Sequence, residues 1–267
     1  MTRHERNSTR DGVSDLPVQA VGPLDITAAE PEALTRDVVR GLANGQLKGV
    51  HLHLVNAWVV ALAQHDPDYR SAFTGSAVNL VDGRPLAWVS TLRRDTPPLI
   101  QVRGPSFFGQ VLDEGRTAGV RHYLLGSSPR TLARVIAEVE RRYPGAKIVG
   151  HESPPFRELT TQELAAQDAR IADSGAHIVW VALGTPKQDP ECRRISESTG
   201  LTTAAVGAAF DFIAGELSEA PPWMRRAGLE WLHRLATEPR RLWWRYLFGN
   251  VSFIATAFRH WRRRPGS

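Results

Sequence analysis

Six short apolar runs, at residues 50–55, 77–81, 122–125, 146–149, 178–183 and 203–206, each stop at Asn, Asp or Gly. They are too short for typical helices, and stretches of helical period separate several of them. Leu34, Val38, Val39 and Leu42 predict an amphipathic helix over 30–45, and a second passes through Val59, Val60 and Leu62. Leu132, Val135, Ile136 and Val139 share one face over 129–142, and 160–173 opens on a sequence close to a capping box. Short buried strands alternating with helices require a parallel sheet covered on both faces. The expected fold is therefore α/β, a Rossmann-like and mostly parallel sheet flanked by helices.

Ligands of such sheets bind at the carboxyl ends of the strands. That rule gathers Asn56, Asp82, Gly126, residues 184–188 and residues 207–211 on one rim. Residues 1–20 are polar and aperiodic and are expected to be disordered, leaving 21–219 as the α/β body. After about Ala220 the alternation ends, and 220–267 reads as a helical, basic and aromatic appendage.

Charge separates body from appendage. Residues 222–267 hold ten arginines and five tryptophans against two acids, Glu230 and Glu238, whereas the whole chain is only +5. The body is thus acidic, and the basic balance belongs to one end rather than to a groove, which argues against nucleic acid. Aromatic surface joined to positive charge suits a greasy, anionic partner such as a membrane or a lipid phosphate. In 242–261, Trp243, Tyr246, Leu247, Ile254, Ala257, Phe258 and Trp261 recur at helical spacing, the profile of an interfacial helix. A core helix packed on the body has the same spacing. No apolar run approaches the roughly 20 residues that span a bilayer, and none near the N-terminus resembles a signal peptide. Cys192 is the only cysteine. The expectation is a cytoplasmic protein on the inner membrane face, without an internal disulfide.

Asp82, between a strand and Gly83, is either a turn residue capping the next helix or a general base placed where a ligand can approach. Gly184-Thr185-Pro186-Lys187-Gln188 is either a plain turn, with proline at the first helical position, or an anion site of free amides beside a scarce lysine. Arg103-Gly104 suits a phosphate contact through a bidentate guanidinium, and suits a surface ion pair equally. Asp211, between Phe210 and Phe212, braces its loop or meets a ligand. Histidines are scattered without ligand spacing, so no metal is expected. No phosphate-binding loop, dinucleotide fingerprint or Gly-x-Ser-x-Gly elbow occurs, which counts against an oxidoreductase or a serine hydrolase.

In order, Asn56-Ala57, Leu80-Val-Asp82-Gly83, Val102-Arg103-Gly104, Leu125-Gly126, Tyr143-Pro144-Gly145 and Val181-Ala-Leu-Gly-Thr-Pro-Lys-Gln188 resemble the bacterial WecG/TagA/CpsF glycosyltransferases. So do Val206-Gly207-Ala-Ala-Phe-Asp211-Phe-Ile-Ala-Gly215, Ala220-Pro221-Pro-Trp223, Gly228-Leu-Glu-Trp231-Leu-His-Arg234 and Glu238-Pro-Arg-Arg241-Leu-Trp-Trp-Arg245. The resemblance spans roughly residues 30–258. It implies inverting, metal-independent transfer of a hexose or N-acetylhexosamine from a nucleotide-diphosphate sugar, expected to be UDP-linked, to a polyprenyl-diphosphate-linked sugar. No cofactor is implied, and a homo-oligomer is compatible.

By the same resemblance Asp82 is the base, polar donor-site positions fall on Asn56, Arg103 and Gln188, and a loop carboxylate falls on Asp211; Gly83, Gly104, Gly126, Gly184, Pro186 and Lys187 beside them complete the expected donor site. Arg234, Arg241 and Arg245 close over the diphosphate. Two positions depart from the usual pattern, Glu219 where arginine is common and Asp189-Pro190 where glutamate follows the Pro-Lys-Gln. A binding protein for nucleotide sugars or lipid phosphates, without catalysis, is the alternative.

Overall fold

A computed structural model describes residues 12–13, 16–91, 96–240 and 243. The chain opens with an antiparallel hairpin of β1 (Val18–Val21) and β2 (Leu24–Thr27), followed by α1 (Pro31–Ala43). Next come β3 (His51–Val55), α2 (Ala57–His65), α3 (Pro67–Ser71), β4 (Ala77–Val81), α4 (Arg84–Ser90) and α5 (Gly104–Ala118). Then follow β5 (Arg121–Gly126), α6 (Pro129–Arg142), β6 (Lys147–Glu152), α7 (Thr161–Asp173), β7 (Ile178–Ala182) and α8 (Gln188–Thr199). The series ends with β8 (Thr202–Ala205), α9 (Ala209–Ile213), α10 (Pro222–Arg226) and α11 (Glu230–Thr237).

Strands β3 to β8 form one parallel sheet in the order β4-β3-β8-β7-β5-β6, as the alternation predicts. Successive side chains of a strand face opposite sides, and the core divides accordingly. Ile178, Trp180 and Ala182 enter one apolar layer with Phe107, Phe108 and Val135, while Val179 and Val181 enter another with Ile171, Cys192 and Ile195. A third cluster joins Val55 and Val81 to α2, α4 and the hairpin.

The hairpin corrects one expectation: β1 begins at Val18, inside the stretch read as disordered. Asn79 of β4 fastens it by donating from Nδ2 to the Asp25 carbonyl at 2.9 Å. Helix α5 is also absent from the sequence reading, although Phe107, Phe108, Val111 and Leu112 are all buried along one face. Helix α7 has a full capping box, Thr160 with Glu163.

Candidate active site

Because all six strands run the same way, their carboxyl ends converge on a cavity of about 1010 Å³. Asp82 lies on its wall. The Asp82 N–H donates to the Val55 carbonyl at 2.9 Å, prolonging the sheet ladder by one residue and fixing the backbone. One carboxylate oxygen, Oδ1, accepts from the Gly104 N–H at 3.1 Å, the first amide of α5. Helix α4, which follows Asp82 directly, has Gly83 as its N-cap and no side-chain capping bond. Asp82 therefore does not cap the next helix; it bridges β4 to α5.

Burial pushes the Asp82 carboxyl above its usual range, the Gly104 amide pulls the other way, and Glu230 raises it while Arg234 and Arg103 lower it. The residue is half-buried and lines the cavity. A carboxylate in this state is a stronger proton acceptor than a solvated one.

Helix α11 and Gly228 before it meet the rim near Asp82. Arg103 and Glu230 form a bidentate pair, Nε to Oε2 at 2.9 Å and Nη2 to Oε1 at 2.6 Å. Arg103 Nη1 also donates to Ser106 Oγ at 3.1 Å and lies 4.0 Å from Glu219. The sequence leaves Arg103 open between phosphate contact and ion pair, and this structure has the ion pair, although its partner comes from the tail. Gly228, at φ +73°, lies flat against the Trp88 ring, where an added Cβ would come within 2.6 Å of Cζ2. Arg234 stacks over Phe212, with Cζ 5.7 Å from the ring centroid, and its buried Nε has no hydrogen-bond partner. Its guanidinium lines the cavity that holds Asp82. Arg241 and Arg245, and all of the predicted 242–261 stripe except Trp243, lie outside the described residues.

The remaining expected positions divide. Asn56 lines the cavity but spends Oδ1 on capping α2, accepting from the Trp58 and Val59 amides at 3.0 and 3.2 Å. Gly83, Gly104, Gly184, Pro186, Gln188 and Asp211 also line the cavity. Helix α8 begins at Gln188 with Lys187 as N-cap, so Pro186 precedes the helix instead of opening it. Lys187 is exposed and is not part of the cavity wall. Gln188 is buried, and its Oε1 has no partner. Gly126 is not part of the wall either: at φ +117°, a Cβ there would meet the Ala182 carbonyl oxygen at 2.5 Å, so glycine is required to let β5 end against β7.

Asp189, one of the two departures from the usual pattern, turns into the protein. It accepts from the Tyr69 hydroxyl at 2.6 Å and lies 3.0 Å from His53 Nδ1, whose Nε2 is 2.8 Å from His51 Nδ1. All four residues are buried. This network anchors the first turn of α8, and with it the backbone of Gln188.

Sequence reasoning missed Ser127, Ser128, Phe156, Glu216 and Trp231, which also line the cavity, and gave Glu230 no role. The rim rule applied one residue past Gly126 would have reached the serines. Among the described residues no three His, Cys, Asp or Glu side chains converge to hold a metal ion, and no helix is long and apolar enough to cross a membrane.

A strand-end cavity with an enclosed carboxylate beside arginines suits transfer chemistry on an anionic substrate. Residues 20–267 match the family model described as the Glycosyl transferase WecG/TagA/CpsF family, nearly the whole chain. The family's work, transfer from a nucleotide sugar to a lipid-linked acceptor in cell-surface polysaccharide synthesis, fits this architecture. The chain belongs to the WecG/TagA/CpsF family of glycosyltransferases.

Proposed function

We propose that the protein transfers a hexose or N-acetylhexosamine, with inversion, from a UDP-sugar to a polyprenyl-diphosphate-linked sugar, with Asp82 as general base. The observation that carries this reading is the Asp82 carboxylate, held by the Gly104 amide on the wall of a cavity it shares with Arg234. The acceptor hydroxyl gives its proton to Asp82, and its oxygen attacks the anomeric carbon from the face opposite the nucleoside diphosphate. The carbon–oxygen bond to the diphosphate breaks as the new glycosidic bond forms, which inverts the centre.

Charge growing on the leaving diphosphate needs preorganised donors, and such groups act most strongly where water is excluded. Arg234, which lines the cavity, supplies one. Arg103 supplies a second when the diphosphate displaces Glu230, and Arg241 and Arg245 are assigned the same duty from the family resemblance. Guanidinium groups in this number make a metal unnecessary to the step. Gln188 and Asp211 orient the donor from the middle of the rim.

The appendage, 220–267, carries the protein to the cytoplasmic membrane face, where the lipid-linked acceptor resides. Its composition supports this role, since each arginine near anionic lipid adds about 1 kcal/mol.

Asp82→Asn tests the chemistry. A general base contributes roughly 10²- to 10⁴-fold, so kcat is expected to fall by about that factor while UDP binding, measured by calorimetry, stays near the parent value. Turnover within about threefold of the parent would remove Asp82 from the proton transfer.

A further inference from the structure

The cavity wall extends from Asp82, beyond β4 at one edge of the sheet, to Phe156, beyond β6 at the other. Five strand spacings of about 4.8 Å make that roughly 24 Å along the rim, on the scale of an extended nucleoside-diphosphate sugar. The two ends differ in chemistry. Arg103, Glu230 and Arg234 crowd the Asp82 end, where the reacting sugar and diphosphate belong. The far end carries the Ser127-Ser128 turn and Glu216, whose Oε2 accepts from Thr131 Oγ1 at 3.0 Å. These groups suit hydrogen bonding to a polar, uncharged heterocycle.

Phe156 projects from the β6–α7 loop and is 96% exposed. Its loop is pinned on both sides. Ser153 Oγ donates to the Ser127 carbonyl at 2.6 Å. Arg157 is bidentate to Glu163 at 2.8 and 2.6 Å, and Glu163 is in turn locked into the capping box of α7. A phenyl ring held in water by an anchored loop loses little freedom when a ligand covers it. Phe156 is the one large hydrophobic side chain exposed on this loop among the described residues, a single flat face of base size and not the broad apolar patch that a lipid or protein surface would engage.

We propose that Phe156 is the stacking face for the nucleobase of the sugar donor, with the Ser127-Ser128 turn and Glu216 at the base edge. This rests on the reading of the protein as a nucleotide-sugar-dependent transferase. It also fixes the direction of the donor, with the base beyond β6 and the transferred sugar beyond β4.

The test measures UDP and inorganic pyrophosphate binding to the full chain by calorimetry, for the parent, Phe156→Ala and Phe156→Tyr. Base–aromatic stacking sets the expectation of a roughly 10- to 100-fold weaker UDP affinity in Phe156→Ala. Pyrophosphate binding should be unchanged, and Phe156→Tyr should bind UDP like the parent. Unchanged UDP affinity in Phe156→Ala overturns the proposal. So does an equal loss for pyrophosphate, which would mean a disturbed site and not a lost stack. Loss of binding to anionic vesicles by Phe156→Ala with UDP affinity intact overturns it in favour of a membrane contact. Should the parent bind none of UDP, GDP, ADP or CDP, the donor reading itself fails, an outcome separate from all of these.

Discussion

Strand β7 presents five buried residues to the two faces of the sheet, whereas helix α11, at the mouth of the same cavity, has no fully buried side chain. Trp180 of β7 lies between Phe107 and Phe108, edge-on to both, and donates from Nε1 to His122 Nδ1 at 3.1 Å. His122 is kept neutral by burial, its pKa pushed down to about 3. Helix α11 relies instead on Glu230 with Arg103 and on Arg234 over Phe212. Apolar burial is not weakened by screening, while ion pairs that keep some contact with solvent are. The body of this enzyme is thus built to stay, and its cover is held by contacts that an anionic ligand can replace.

The sharpest way to break this comparison is to weaken each side separately. Trp180→Ala removes a fully buried indole and leaves His122 Nδ1 without its donor, so it should cost about 3–5 kcal/mol in urea unfolding. Ending the chain at residue 219 should leave a body that melts within a few degrees of the parent, yet abolish turnover and binding to anionic vesicles. Retained vesicle binding would move the membrane contact out of the appendage.

Next in size is Arg234→Ala. Loss of one preorganised donor is expected to lower kcat about 10²- to 10³-fold, with the unfolding midpoint nearly unchanged. The smallest effect belongs to Glu230→Gln. It should loosen α11 by about 1 kcal/mol, read as faster amide exchange in the helix, and should reduce the sensitivity of that exchange to salt.

The same variant sharpens the electrostatics. Asp82 accepts a proton only when ionised, and its folded pKa is raised. The acid limb of kcat/KM should therefore lie above the ordinary aspartate range, with activity lost as pH falls through it. Removing the Glu230 charge, which helps to raise that pKa, should move the limb down. For stability the sign is opposite: the fold favours protonated Asp82, so stability from this group is lost as pH rises through its folded pKa. Asp82→Asn should accordingly melt no lower than the parent near neutral pH.

What could be read from the sequence followed what is local. Apolar runs ending at Asn56, Asp82, Gly184 and Gly207 are stretches of chain whose own pattern states their conformation, and the sheet follows from them. Asp82 was legible as a strand-tip carboxylate, but its bond to Gly104 and the pairing of Arg103 with Glu230 join distant residues, which periodicity does not encode. Helix α5 carried a usable signal in Pro105, the Phe107–Leu112 spacing and Gly119, and was obscured because the apolar stretch before it gives no clear strand. Asp189 stood out in the sequence only as a departure from the family pattern after Gln188; the turn of α8 sends it inward to Tyr69 and His53. Phe156 lies in a loop of mixed polarity, and only the three-dimensional path of that loop brings it to the rim.

The inward-facing Asp189 has a consequence for how this scaffold can diverge. A carboxylate clasped by a phenol and an imidazole fixes the start of α8, so the Gln188 wall cannot retreat without unmaking part of the interior. Divergence in what the cavity accepts must therefore come from its two ends, while the wall between them stays as a fixed gauge.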